Sequence, residues 1–187
     1  MSLVETAKLR SNYKALVARL AAEASAGIVR PSVSARLIED VSVESTFHQY
    51  DRRFTFHGDE ARSRGGHERG PSPMRYFLSG IAFCQVGWYA KGSAFADVDL
   101  QGLALDVRTY MDMRGEHGFE GVPANPQWIV LDIRATSPSA PENVLAMVDW
   151  GDERCPLGML VRRAVPVYQR VAHNGEIIRD TVPPDAQ

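Results

Sequence analysis

Cysteine is scarce in this sequence, which has only Cys84 and Cys155 among its 187 residues. Two cysteines with neither a C-x-x-C spacing nor a paired-histidine pattern are too few for a structural zinc site. The five histidines also lack the spacing of metal ligands, so we expect no metal and no other cofactor. In a reducing compartment, a disulfide between the two cysteines would form only transiently.

Long apolar runs and an excess of one charge are also absent. No run approaches the roughly 20 apolar residues of a membrane span, and the first residues have no basic segment followed by an apolar one. The net charge of −2 favours neither nucleic acid nor an anionic membrane. We therefore expect a cytoplasmic protein with one main domain, which binds neither nucleic acid nor membranes.

The apolar segment 70–90 contains Cys84 and is the most informative stretch of the chain. Phe77, Ile81, Cys84 and Trp88 recur at spacings of four, three and four residues, which predicts a helix with these side chains on one face. The segment is apolar nearly all round, so we expect a buried central helix with Cys84 facing inward.

The remaining patterns predict an α+β fold, because strands and helices come in runs rather than in strict alternation. We expect a mostly antiparallel sheet, an N-terminal helical extension at residues 1–30, a main domain at 31–180 and a tail at 181–187. The predicted elements are a helix from Leu3 to about Ala24, strands at Val33–Val43 and Arg52–His57, the cysteine helix, strands at 103–113 and 127–136, helices at 141–150 and 155–163, a strand at 165–172 and a hairpin turn at Asn174-Gly175.

Cys155 is followed by Pro156, which suits the first position of a helix and predicts Cys155 as its N-cap. The helix macrodipole and unpaired N–H groups favour a thiolate there, so we expect the pKa of this thiol to lie below its usual value. The two cysteines are then either a redox dithiol pair or two ordinary buried cysteines, and composition alone does not separate these hypotheses.

Several motifs in a fixed order favour the hypothesis of a redox dithiol pair. A charged loop containing Gly65-Gly66, the turn Gly70-Pro71-Ser72-Pro73, the helix segment from Ser79 to Cys84, and Cys155-Pro156 together resemble the OsmC/Ohr family of osmotically inducible and organic hydroperoxide resistance proteins. The resemblance covers about Val33 to Ala172 and leaves the N-terminal helix outside.

The resemblance implies an interwoven homodimer in which antiparallel sheets wrap long central cysteine-bearing helices. It also implies a thiol-dependent peroxidase that reduces organic, lipid-like hydroperoxides. Cys84 would attack the peroxide and become a sulfenic acid, and Cys155 would resolve it as a disulfide. An external dithiol or a lipoyl protein would then reduce that disulfide.

A family arginine stabilises the thiolate and the leaving oxygen, and counting back from Pro73 assigns this role to Arg64, with Arg62 and Arg69 as the next choices. The family glutamate that orients this arginine usually follows the proline, where this chain has Met74. Methionine makes no charge-assisted hydrogen bond to a guanidinium.

Two acidic residues of the loop, Glu68 and Glu60, are the candidates to replace the missing glutamate. Met74 instead favours a second hypothesis, an OsmC-fold protein that binds a small apolar ligand or a partner without peroxidase activity. A third hypothesis is a Cys-His hydrolase in which His67 activates Cys84, but the sequence offers no group to orient the histidine.

Overall fold

The computed structural model describes residues 1–163, 170–173 and 176–180. The helices are α1 (Thr6–Ala22), α2 (Pro73–Ser93), α3 (Met113–Glu116), α4 (Pro141–Asp152) and α5 (Pro156–Arg162). The strands are β1 (Ser34–Glu39), β2 (Ser42–Gln49), β3 (Arg52–Gly58), β4 (Gly102–Tyr110), β5 (Trp128–Thr136), β6 (Arg170–His173) and β7 (Glu176–Asp180). Every described strand pair is antiparallel, which confirms the predicted α+β class.

The first sheet has three strands in the order β1-β2-β3. A single strand was expected from Val33 to Val43, and this prediction is wrong, because the chain turns back at Asp40. Asp40 has a φ of 51°, a left-handed conformation that aspartate tolerates better than most residues. Tyr50 and Asp51, with φ values of 53° and 58°, form the second tight turn. Two successive positive φ values match the right-handed twist of a hairpin.

This first sheet is largely uncovered by the described part of the chain. Strands β1 and β3 are exposed along almost their whole length. Phe47 stacks on Phe54 and Phe56 across the strands, and Phe56 also meets the ring of Tyr76 in α2. Strands rich in aromatic and β-branched residues normally bury one face. In the described part of the chain, no other element packs over either face of this sheet along most of its length.

Helix α2 packs against α4, α5 and β4 and forms the centre of the second half of the domain. Its buried residues repeat at helical spacing and are Leu78, Ile81, Gln85, Tyr89, Gly92 and Ser93. The predicted inward face is correct at Ile81 but wrong at Phe77, which is 44% exposed. The observed buried face of α2 is therefore shifted by about one residue from the predicted face. Helix α4 packs against this observed face and approaches it closely at Gly92, where an added Cβ would lie 2.5 Å from the Met147 carbonyl oxygen.

Strands β4 and β5 form a long hairpin, in which Gly102 pairs with Thr136 and Tyr110 with Trp128. The first of these strands was expected to reach residue 113, but it ends at Tyr110, and Asp112 caps the short helix α3 by accepting from the Arg114 backbone N–H. The predicted Asn174-Gly175 turn, residues 165–169 of the last predicted strand and the tail at 181–187 lie outside the described residues. None of the described helices is long and apolar enough to cross a membrane.

Helix α1 confirms the expected N-terminal helix and attaches to the far end of α2. The ring of Tyr13 meets those of Phe95 and Trp150 edge to face at 4.9 and 5.5 Å. The guanidinium of Arg10 donates to the Ala94 carbonyl oxygen and pairs with Asp97. These contacts dock the extension without bringing it into the helix face that holds the cysteines.

Candidate active site

Cys155 caps the N-terminus of α5, as the sequence predicts. Its Sγ accepts a hydrogen bond from the Gly158 backbone N–H at 3.2 Å, and Pro156 occupies the first helical turn. The side chain is fully buried. The N-cap position and the hydrogen bond from Gly158 therefore orient the Cys155 side chain toward the first turn of α5.

The predicted low pKa of Cys155 is wrong. The pKa of this thiol is raised to about 11, chiefly by burial and also by interaction with Cys84, although the backbone N–H groups of Gly158 and Leu157 oppose the rise. A thiolate loses more by leaving water than it gains from the start of a two-turn helix. Cys155 is therefore a neutral thiol at physiological pH.

Cys84 lies near Cys155, because an interaction between the two thiols contributes to the raised pKa of Cys155. It projects from the middle of α2, is half-buried, and both thiols are free. The two helices are in ordinary van der Waals contact here, since an added Cβ on Gly80 would lie 3.6 Å from Leu157 Cδ1. The fold thus brings together two cysteines that are far apart in sequence.

A polar cluster adjoins the thiols at the junction of α2, α4 and α5. Asp152 Oδ1 accepts from Tyr89 Oη at 2.8 Å and from Gln85 Nε2 at 3.1 Å, and Asp152 Oδ2 accepts from Arg162 Nη2 at 3.1 Å. Burial, followed by the hydrogen bond to Asp152, raises the pKa of Tyr89 well above its usual range. The Tyr89 hydroxyl therefore remains a proton donor. We call these four residues the Asp152 cluster.

The charged loop before α2 is an ordered structure built on Asp59. This carboxylate is buried and accepts backbone hydrogen bonds from Glu60, His67 and Arg69. Burial alone would raise the pKa of Asp59, but these N–H groups outweigh it and hold the pKa well below its usual value. Gly66 is needed here, because an added Cβ would lie 2.0 Å from the Glu60 carbonyl oxygen.

Arg64 and Met74 come together in a groove beside the start of α2. Glu116 Oε2 lies 2.6 Å from Arg64 Nη2, and Glu60 Oε2 lies 3.4 Å from Arg64 Nε. One of the two expected replacements for the missing glutamate, Glu60, therefore does contact Arg64. The other, Glu68, pairs with Arg62 instead, at 3.3 Å.

This groove has a volume of about 660 Å³, and both apolar and charged side chains line it. Its apolar lining comes from α2, β4 and the residues after β4, and includes Met74, Leu78, Val107, Met111 and Met113. Arg64, Arg75 and Arg108 contribute positive charge to the lining. Such a surface suits an amphiphilic molecule with an apolar chain.

The other predicted loop residues point toward the turn between β1 and β2. His67 Nε2 lies 3.1 Å from Asp40 Oδ2, and Arg69 Nη1 donates to Glu39 Oε2 at 2.8 Å. Among the residues described, His67 thus contacts a carboxylate rather than Cys84, so its contacts give no support to the Cys-His hypothesis. Arg69 and Glu39 thus form an ion pair beside the contact between His67 and Asp40.

The Asp152 cluster and Glu116 are the features that sequence reasoning missed. A single Gln directly after a cysteine in an otherwise apolar helix was the available signal, because a buried amide needs a partner. Nothing local indicates that the partner is Asp152, which is 67 residues away.

Comparisons with known proteins agree on one family. The family model described as OsmC-like protein matches residues 65–169, more than half of the chain. An OsmC-like protein from Mycoplasma pneumoniae superimposes with a TM-score of 0.60 at 19% identity and covers 73% of this chain and 89% of its own. A comparison with curated proteins finds no match.

Two further solved structures share the fold. An OsmC-like protein of unknown function from Vibrio cholerae has a TM-score of 0.55 at 10% identity, over 71% of this chain and 93% of its own. An organic hydroperoxide resistance protein OsmC from Legionella pneumophila has a TM-score of 0.51 at 16% identity, over 73% and 91%. At these identities the likeness shows the fold alone.

Proposed function

Because this chain belongs to the OsmC-like protein family, we propose that it is a thiol-dependent peroxidase that reduces organic, lipid-like hydroperoxides. The observation that carries this proposal is the proximity of the Cys84 and Cys155 thiols, which lie on the packed helix α2 and at the start of α5. Two free cysteines placed together by separate elements are the minimum requirement for a dithiol peroxidase.

The reaction proceeds in two balanced steps. The Cys84 thiolate attacks the terminal oxygen of the hydroperoxide, the O–O bond breaks, and the alkoxide takes a proton and leaves as the alcohol. Cys84 is thereby oxidised to a sulfenic acid. The Cys155 sulfur then attacks the Cys84 sulfur, the S–O bond breaks, and hydroxide leaves with the Cys155 proton as water. An external dithiol or a lipoyl protein reduces the resulting disulfide.

Arg64 is the proposed cation for the thiolate and the leaving oxygen. Its guanidinium contacts Glu60 and Glu116, so these carboxylates take over the orienting role of the glutamate that Met74 replaces. The apolar groove beside Arg64 supports a substrate with a hydrocarbon chain. Bulky alkyl hydroperoxides are therefore the proposed substrates.

The proposal predicts that stoichiometric cumene hydroperoxide removes both free thiols of the reduced protein. Thiol counting and intact mass should show a loss of two hydrogens per chain, as a Cys84–Cys155 disulfide requires. Cys155→Ser should instead give a sulfenic acid on Cys84 that dimedone traps. If both thiols remain free after peroxide treatment of the wild type, the proposed function is wrong.

The functional unit is proposed to be a homodimer. Phe83 lies on α2 next to Cys84 and is 78% exposed, and strands β1 and β3 of the first sheet are also exposed. A second copy of the chain is the partner that would bury both surfaces.

We expect Phe83→Glu to convert the dimer into a monomer, because a carboxylate in a closed apolar contact is strongly unfavourable. Sedimentation velocity measures the change. Arg75→Glu, an exposed change of charge on the same helix, should leave the dimer intact. A Phe83→Glu protein that sediments as a dimer would refute this interface.

A second candidate function is the binding of an apolar ligand without peroxide chemistry. The groove lined by Met74, Met111 and Met113 favours it, since flexible thioethers suit irregular apolar ligands. In that case Cys84 is dispensable, and the comparison of wild type with a Cys84 variant separates the two functions.

A further inference from the structure

The proposed reaction makes no use of the Asp152 cluster, although it lies directly beside the thiols. Three donors from two helices converge on the carboxylate of Asp152, with Gln85 and Tyr89 on α2 and Arg162 on α5. Gln85 and Tyr89 are fully buried. Buried donors of this kind are costly to leave unpaired, so the carboxylate ties the two helices together at one point.

That point coincides with the start of α5, where Cys155 lies. An added Cβ on Gly158 would lie 2.8 Å from Gln85 Nε2 and 3.2 Å from Arg162 Nη1. The backbone N–H of the same Gly158 donates to Cys155 Sγ. The side chains of Gln85 and Arg162 therefore pack against the helix turn whose backbone N–H binds the Cys155 sulfur.

The link to the second thiol is equally short. Gln85 follows Cys84 directly in α2, and Asp152 precedes Cys155 by three residues. The hydrogen bond from Gln85 to Asp152 therefore joins the immediate neighbours of both cysteines. The Gln85 amide nitrogen donates this hydrogen bond, and the amide oxygen of the same side chain has no hydrogen-bond partner among the described atoms.

We propose that Asp152 is a positioning residue for disulfide closure. By accepting from Gln85 and Tyr89 of α2 and from Arg162 of α5, it holds Cys155 against Cys84. This role rests on the proposed peroxidase function. Because Asp152 acts through the placement of Cys155, its loss should slow the resolving step and leave the attack of Cys84 on the peroxide unchanged.

The test follows a single turnover of the full chain with one equivalent of cumene hydroperoxide and dimedone. Peroxide loss reports the attack, and mass spectrometry at each time counts the dimedone adduct and the disulfide. Asp149→Ala is the matched control, because Asp149 is exposed on the same helix and makes no side-chain hydrogen bond or ion pair with any described residue.

In Asp152→Ala we expect attack within about twofold of the wild-type rate, disulfide closure about tenfold slower, and accumulation of the Cys84 adduct. Asp152→Asn keeps an oxygen acceptor for Gln85 and Tyr89 and should show a smaller delay. Asp149→Ala should match the wild type. Closure at the wild-type rate in Asp152→Ala, or equal slowing of attack and closure, would overturn the proposal.

Should Asp152→Ala not fold, Tyr89→Phe provides the same comparison, because it removes one donor and keeps the ring. We expect closure several times slower than in the wild type, with attack unchanged. Unchanged closure in this variant would also overturn the proposal.

A second measurement separates this inference from the peroxidase function. In glutathione buffers, one oxidised glutathione takes two electrons and two protons from the thiol pair and leaves as two reduced glutathiones. At a fixed concentration of reduced glutathione, we expect Asp152→Ala to need about tenfold more oxidised glutathione for half formation of the disulfide. Equal concentrations would overturn the positioning role, whereas a wild type that closes the disulfide but consumes no peroxide would refute the peroxidase function alone.

Discussion

The Cys84→Ser variant should lose dithiothreitol-dependent consumption of cumene hydroperoxide by about a thousandfold or more. The serine hydroxyl is un-ionised at neutral pH and is a poor nucleophile toward peroxide oxygen, and it has no sulfur to carry the sulfenic acid. Cys155 does not substitute, because it is fully buried and its pKa is raised to about 11. Only a small fraction of Cys155 is therefore thiolate at neutral pH.

The measurement compares initial rates of peroxide loss for the wild type, Cys84→Ser and Cys155→Ser. Serine is close to cysteine in volume and Cys84 is only half-buried, so the Cys84 variant should fold normally. Cys155→Ser should retain turnover, because dithiothreitol reduces the Cys84 sulfenic acid directly. Equal rates for the wild type and Cys84→Ser would exclude the peroxidase function and leave the apolar-ligand function.

The main helix and the cap at Cys155 were predictable because their signals are local. Proline at the first turn and a residue spacing of three and four directly reflect helix geometry. The orientation of α2 was not predictable, because an apolar helix presents no polar face to fix its rotation. The close approach of α4 at Gly92 and Gly151 sets that rotation, and it is a tertiary contact.

The pKa of Cys155 shows where a local rule fails. The sequence correctly predicts the cap, and the hydrogen bond from the Gly158 N–H to the sulfur, which the structure adds, also favours a thiolate. The burial that reverses the direction comes from packing between α2 and α5, which lie far apart in sequence. Desolvation is a property of the whole environment and outweighs the helix terminus here.

The partners of Arg64 illustrate the same limit in the loop. Glu60 was predictable as a candidate because it lies in the same loop, four residues before Arg64. Glu116, the closer partner at 2.6 Å, lies 52 residues further along the chain in α3. Its approach depends on where the β4–β5 hairpin docks against α2, and no pattern within the loop contains that information.

The Gly92→Ala substitution should destabilise the protein, because Gly92 lies at the contact between α2 and α4. The added methyl group would lie 2.5 Å from the Met147 carbonyl oxygen, a backbone atom that cannot move without shifting α4. We expect the free energy of unfolding to fall by about 1–3 kcal/mol, despite the better helix propensity of alanine. For a chain of this size, Tm should fall by roughly 2–10 °C.

Gly80→Ala is the matched control on the same helix, because its added methyl group meets only the tip of Leu157 at 3.6 Å. Alanine's helix propensity should then raise stability by up to about 1 kcal/mol. Thermal unfolding at equal protein concentration measures both variants, since association would otherwise change Tm. A Gly92→Ala protein as stable as Gly80→Ala would mean that α4 does not approach α2 at Gly92. The Asp152 cluster depends on the same helix pair, so disulfide closure should slow in Gly92→Ala and not in Gly80→Ala.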